Sequence, residues 1–170
     1  KSMQKNWIGQ SKGAKVILLS HFGRPKGAYN DETSLIQVVP ALDAMMGKPT
    51  IFVPEICGSK ALAAIDNAPN GAVILVENTR FDPGEETDAA EFAKKVAKLG
   101  DYYVNDAFSV AHRAHVSTHG LAKILPAYAG VSMARELDHL DKALGNPVHP
   151  VLAIVGGAKV SSKIDLLLNL

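Results

Sequence analysis

The sequence predicts an α/β fold in which a parallel sheet is covered by helices, and three observations lead there. Four apolar runs, each short enough to be one strand, punctuate the chain: Lys15–Leu19, Ala72–Val76, Tyr102–Val104 and Val151–Val155. Runs without polar alternation read as strands buried on both faces, the condition of a parallel sheet. Helical patterns lie between the strands, and that alternation means βαβ units. Each run also hands over to a segment rich in Gly, Arg, His or Lys. Ligands of such sheets bind beyond the carboxyl ends of the strands, so these segments would share one edge and face an anion.

Strands are expected at 15–19, 50–53, 72–76, 102–104 and 151–155. After the first, Leu35, Val38, Val39, Leu42, Met45 and Met46 recur at helical spacing, with Ser34 and Gln37 as a capping box and Gly47 as the stop. Pro40 falls inside that pattern and predicts a kink or a break. Residues 58–68 are alanine-rich and helical in character. A further helix is expected from Asp88 to Leu99, with Asp88 and Glu91 as its cap, Phe92, Val96 and Leu99 as its buried stripe and Gly100 as its end. The last, Met133 to Leu144, places Leu137, Leu140 and Leu144 on one face. It closes at Gly145-Asn146-Pro147-Val148-His149-Pro150, which reads either as a domain boundary or as an ordinary αβ loop.

Composition narrows the function classes. The chain has 170 residues, enough for one good-sized domain or a domain plus part of another. With 47% hydrophobic and 21% charged residues it has an ordinary globular balance, which argues against disorder. A formal net charge of +1 supplies no global field for nucleic acid, so any anion site must be local. The single cysteine, Cys57, excludes an intramolecular disulfide and fits a reducing, cytoplasmic setting. No apolar stretch approaches the roughly 20 residues of a membrane span. The sequence starts with Lys1 and stops inside an amphipathic run at Leu168-Asn169-Leu170, so a fragment is expected.

Four segments carry the chemistry. In Ser20-His21-Phe22-Gly23-Arg24-Pro25-Lys26-Gly27, Gly23 and Gly27 permit positive φ and Pro25 fixes the backbone beside Arg24. A guanidinium held at such a turn offers a rigid fork to carboxylate or phosphate, although a merely solvated turn has the same composition. Arg80 follows Glu77-Asn78, and a single Arg past a strand is usually structural, pairing with a group such as Glu77. The third segment sets His112, Arg113 and His115 side by side, poor core material and a good anion site. Metal is disfavoured there because Arg113 would repel a cation and no thiol or evident carboxylate completes the set. In the fourth, Gly156-Gly157-Ala158-Lys159-Val160-Ser161-Ser162-Lys163, a glycine loop opens a helix with Lys159 and Lys163 four apart on one side. It matches neither GxxxxGK[ST] nor GxGxxG. Each segment alone is weak, but four cationic loops at equivalent positions make coincidence a poor account.

Ser20-His21-Phe22-Gly23-Arg24-Pro25, Glu77-Asn78-Thr79-Arg80-Phe81, Val104-Asn105-Asp106-Ala107-Phe108, Ala111-His112-Arg113-Ala114-His115 and Gly156-Gly157-Ala158-Lys159-Val160 together resemble phosphoglycerate kinase, in order and spacing, from about Gly13 to Leu170. The resemblance implies a Rossmann-like parallel sheet with helices on both faces, plus the start of a second α/β domain. Residues 1–132 would bind 3-phosphoglycerate, 133–146 would form the interdomain helix, and 147–170 would begin the nucleotide-binding domain. Hinge-bending closure would bring the glycerate and MgATP or MgADP together in a monomeric cytoplasmic enzyme of glycolysis and gluconeogenesis, without nucleic-acid or membrane partners. Its reaction interconverts ATP and 3-phosphoglycerate with ADP and 1,3-bisphosphoglycerate.

By match, His21, Phe22, Gly23, Arg24, Arg80 and Arg113 resemble the substrate-binding patch, with His112 and His115 flanking it. Lys159 and Arg24 resemble the catalytic cations, and Gly156, Gly157, Lys159 and Lys163 the nucleotide-phosphate loop. No metal ligand is expected within this chain; the Mg2+ carboxylate, the adenosine pocket, the leading Asp-x-Asn strand and its following arginine would all lie outside it. A sheet without that first strand exposes an edge. The bare residues also permit two rival readings, a non-catalytic module for phosphorylated metabolites and a truncated product without function.

Overall fold

The computed structural model describes residues 12–145, 147–152 and 154. Five strands are present among them: β1 (Val16–Leu18), β2 (Ile51–Val53), β3 (Val73–Val76), β4 (Tyr103–Asn105) and β5 (Ala127–Ala129). Every pairing is parallel, as the unbroken apolar runs require. β3 lies between β1 and β2, with Ile74 opposite both Ile17 and Ile51, while β4 and β5 form a second pair. All four residues of β3 are buried, whereas β1 and β2 are only partly covered, as befits the two outer strands. Ile74 and Val76 join Phe92, Val96, Leu99, Val116 and Leu121 in one core, against which Ile17, Ile51 and Tyr103 pack.

Four α-helices accompany these strands: α1 (Val39–Met46), α2 (Ser59–Asn67), α3 (Ala90–Val96) and α4 (Val131–Leu140). The break expected at Pro40 is observed, since a 3-10 turn at Leu35–Val38 gives way to α1 with the proline in its first turn. Ser34 accepts from the Ile36 N–H, but Gln37 Nε2 donates to the Ser34 and Glu32 carbonyls, so the reciprocal capping box is not formed. Asp88 is a second correction. Its φ is 52° and α3 begins after Ala89 without a side-chain cap, because the Asp88 carboxylate turns to His119 Nδ1 at 2.5 Å and Lys123 Nζ at 3.9 Å. The stripe Phe92, Val96 and Leu99 is buried as expected.

Several helix ends are satisfied from a distance. Lys15 Nζ donates to the Ile65 and Asp66 carbonyls at the end of α2, and Asp106 Oδ1 accepts the Met133 N–H in the first turn of α4 at 2.9 Å. Glu55 Oε2 accepts the Ala61 N–H at the start of α2. Gly58 makes that possible. Its φ is +140°, and an added Cβ would sit 2.7 Å from Glu55 Oε1. Gly58→Ala should therefore lower unfolding stability by about 1–3 kcal/mol in a thermal or urea melt; a change within about 0.5 kcal/mol would mean the carboxylate does not hold this turn.

β5 was not expected. Its residues Ala-Tyr-Ala are all exposed, and the strand exists through its ladder to β4, flanked by Tyr103 N–H to Pro126 O and Gly130 N–H to Asn105 O. The strand expected at 151–155 is not formed at the described positions Val151, Leu152 and Ile154, which are exposed and have no described strand beside them to pair with. Leu137, Leu140 and Leu144 do lie along one helical stretch but face outward, since Met133 is the buried residue of α4. Among the described residues no helix is long and apolar enough to cross a membrane.

Candidate anion-binding site

Parallel pairing decides where the cationic loops emerge. Leu18 is in register with Leu75 and Val53 with Val76, so the segments after β1, β2 and β3 leave at one edge. His21 follows β1 and Arg80 follows β3. Between them Asn78, fully buried, ties two distant stretches to its own turn: its Nδ2 donates to Phe22 O at 2.7 Å and Thr33 O at 2.8 Å, and its Oδ1 accepts the Arg80 N–H at 3.1 Å. Glu77 beside it accepts from the Ser34 hydroxyl and from the Leu35 and Asn78 N–H groups. Backbone bonds add to this tie: Thr79 N–H to Ser20 O and Gly27 N–H to Arg80 O. Tyr29 packs against Phe81 in a tilted pair, ring centroids 5.1 Å apart and planes at 57°, beside the 3-10 turn that carries Arg80.

Arg80 is only 3% exposed, an uncommon place for a guanidinium. Its Nη1 donates to Gly23 O at 2.9 Å, and Glu86 Oε1 lies 3.2 Å from its Nε. The expected partner Glu77 is committed to Ser34, Leu35 and Asn78 instead. Gly23, at φ 64°, has Thr33 Cγ2 2.8 Å from where a Cβ would sit, so only glycine delivers that carbonyl to Arg80 without displacement. Arg80 Nη2 and Nε are both buried and make no hydrogen bond with a described residue, so Glu86 acts on Nε by its charge alone. A buried donor on a charged fork suits an anionic acceptor.

His21 reports which other cations are close. Burial is the largest influence lowering its pKa from the usual 6.5, followed by the positive charges of Arg80, Arg113 and His115, while Glu86 acts in the opposite sense. These groups therefore share one electrostatic neighbourhood. Arg113 and His115 are half-buried in the segment after β4, their backbone tied by the Thr118 hydroxyl, which donates to Arg113 O at 2.6 Å. The sign of the His21 shift gives a pH prediction. The folded protein binds the His21 proton less readily than the unfolded chain, so this contribution to stability is complete above about pH 6.5 and is lost as pH falls through the lowered folded value. NMR titration of the His21 ring should give a midpoint below 6.5; a midpoint above it would place the cations elsewhere.

The structure thus places Arg80, Arg113 and His115 near enough to His21 for their charge to act on its ring. Arg24 and His112 are exposed and make no hydrogen bond or ion pair with a described residue, and Phe22 contributes its carbonyl to Asn78. Gly156, Gly157, Lys159 and Lys163 lie outside the described residues. Sequence reasoning did not single out Asn78, Glu85, Glu86 or Thr118. Among the described residues no group of three or more His, Cys, Asp or Glu side chains could hold a metal. The cluster can hold a dianion electrostatically; it contains no pairing of a nucleophile with a base.

Comparison with known proteins follows the same lines. The family model described as phosphoglycerate kinase matches residues 8–170. A phosphoglycerate kinase of Zymomonas mobilis is 58% identical over 159 residues, which are 94% of this chain and 40% of that protein. One from Caulobacter vibrioides is 59% identical over 159 residues with the same coverage. Among solved structures, phosphoglycerate kinase from Coxiella burnetii superposes with a TM-score of 0.81 at 39% identity, covering 93% of this chain and 39% of that one. That from Pyrococcus horikoshii gives 0.83 at 29% identity, covering 97% and 42%. The chain spans about 40% of the length of the curated relatives it matches.

Proposed function

Since the chain belongs to the phosphoglycerate kinase family, we propose that its cationic edge binds 3-phosphoglycerate within an enzyme that moves a phosphoryl group reversibly between ATP and that acid. The observation that carries the reading is the buried Arg80, fixed by Gly23 O and Glu86 with Nη2 unmatched, in the same neighbourhood as His21, Arg113 and His115. A phosphate ester with a carboxylate supplies acceptors for such a set. We assign His112 to the flank of this set and exposed Arg24, one residue past the carbonyl that holds Arg80, to the second substrate.

In the reaction a carboxylate oxygen of 3-phosphoglycerate attacks the γ-phosphorus of ATP, the bond to the β–γ bridging oxygen breaks, and 1,3-bisphosphoglycerate and ADP result. No proton has to be removed from the acceptor, so alignment, exclusion of water and positive charge carry the catalysis. Arg24 and Lys159 are assigned to the transferring group, and Gly156, Gly157 and Lys163 to the nucleotide phosphates. Mg2+ supplies charge neutralisation as part of the nucleotide, and the described residues offer no cluster for it. We assign residues 1–132 to the glycerate domain, 133–146 to the interdomain helix and 147–170 to the beginning of the nucleotide domain. The complete enzyme is assigned to cytoplasmic glycolysis and gluconeogenesis as a monomer that closes by hinge bending.

Isothermal titration of the 170-residue chain tests the reading. Saturable 3-phosphoglycerate binding, much stronger than that of inorganic phosphate, is expected. Equal affinity for the two would favour a general anion-binding module, and no binding at millimolar concentration would overturn the assignment. In a coupled assay the same chain should form ATP at no more than background rate; robust turnover would refute the need for further residues.

A further inference from the structure

Glu85 and Glu86 are consecutive, yet their carboxylates serve different cationic segments. Glu86 lies against Arg80 Nε. Glu85 turns inward, 1% exposed, and forms no ion pair with a described residue. Its carboxylate accepts the Ser117 N–H at 3.1 Å through Oε2 and the Ser117 hydroxyl through Oε1, while its own carbonyl accepts the Val116 N–H at 3.0 Å. The Tyr103 hydroxyl donates to Ser117 O at 2.6 Å, so Ser117 is held at its nitrogen, its side chain and its carbonyl. Burial, then the nearby Glu85 charge, pushes the Tyr103 phenol up to about 12, so it stays a donor at any ordinary pH.

The next residue passes this constraint on. Thr118 Oγ1 donates to Arg113 O and accepts the His115 N–H at 3.2 Å. Hydrogen bonds to Ser117, the peptide link to Thr118 and the two Thr118 hydroxyl bonds thus connect the buried carboxylate to the Arg113 carbonyl and the His115 N–H, the two groups that flank Ala114. Burying a carboxylate against neutral donors alone is expensive, and packing would be served as well by an apolar side chain. What an apolar side chain could not do is grip both donors of Ser117.

We propose that Glu85 is a positioning residue of the anion site, which through Ser117 and Thr118 fixes the backbone that carries Arg113 and His115 within electrostatic reach of His21. The inference rests on the reading of this edge as the 3-phosphoglycerate site. Two neighbouring carboxylates then orient the site from both sides, Glu86 at Arg80 and Glu85 at the segment carrying Arg113.

The test compares Glu85→Leu, Glu85→Gln and Ser117→Ala in the 170-residue chain. Thermal melting, NMR titration of the His21 ring and calorimetry with 3-phosphoglycerate are measured on each. Ser117→Ala, which removes one hydroxyl, keeps the fold measurable if Glu85→Leu does not. In Ser117→Ala and Glu85→Leu the His21 midpoint should rise toward 6.5, because Arg113 and His115 no longer bear on it, and 3-phosphoglycerate should bind about tenfold more weakly. Glu85→Gln, which keeps an acceptor for the Ser117 N–H, should recover part of both. Lower melting temperatures with an unchanged His21 midpoint and unchanged affinity would overturn the proposal, leaving Glu85 a stabilising group alone. If the parent chain binds no 3-phosphoglycerate, the functional reading fails separately, and the His21 midpoint still decides whether Glu85 positions the segment.

Discussion

Replacing Arg80 with methionine should weaken 3-phosphoglycerate binding about a hundredfold, the loss of two charge-assisted hydrogen bonds at roughly 1.5 kcal/mol each. The fold should survive. Methionine fills much of the guanidinium stem's space, and removing a buried charge whose partner Glu86 is half exposed relieves desolvation as it loses the pair. The Gly23 carbonyl loses a donor but sits at an exposed turn where water can replace it. Arg80→Lys keeps the charge without the fork and should fall between, about tenfold weaker than the parent. Calorimetry on the two variants checks both statements. An affinity for Arg80→Met within threefold of the parent would remove Arg80 from the site.

Asn78→Ala should cost about 3–5 kcal/mol of unfolding free energy, measured by urea denaturation. The side chain is fully buried, and its loss leaves the Phe22 and Thr33 carbonyls and the Arg80 N–H unmatched, at about 1–3 kcal/mol each when water cannot reach them. Asn78→Asp, nearly the same shape, should be as damaging, since a carboxylate would face two carbonyl oxygens with no donor to offer them. A cost below about 1 kcal/mol for the alanine variant would mean that the Tyr29–Phe81 contact and the Gly27–Arg80 backbone bond hold these loops without it.

Those two residues also mark what could be read in advance. β1 to β3 were legible because covered parallel strands need apolar side chains on both faces, which leaves an unbroken run, and β4 was legible from its apolar run although Val104 is exposed. β5 was not, because Ala127–Ala129 is defined by its partner β4 rather than by its own composition. Local helix stops such as Gly47 and Gly100 were visible. The caps of α2 and α4 were hidden because they come from Glu55 and Asp106 in other segments. Asp88 misled for the same reason in reverse: its side chain had a distant partner in His119.

The site divides in the same way. Arg113 and His115 stood out beside His112 as poor core material, whereas Arg80 alone read as structural and joined His21 in the site through the family resemblance. Nothing local distinguished Glu85 and Glu86 from a solvated acidic pair after Asp82-Pro83-Gly84. Their roles depend on which residues the sheet brings opposite them. Asn78 lay inside a recognisable motif, yet its three partners are 56, 45 and 2 residues away, a pattern no spacing rule contains.

The account depends on separate crossovers delivering their cations to one bound anion. The most direct measurement is the His21 ring midpoint by NMR with and without saturating 3-phosphoglycerate, together with the Arg80 side-chain resonances across the same titration. A bound dianion should raise the His21 midpoint, and the His21 and Arg80 signals should follow one saturation curve with one affinity. A His21 midpoint that ignores the ligand, or His21 and Arg80 responses with different affinities, would contradict a shared site.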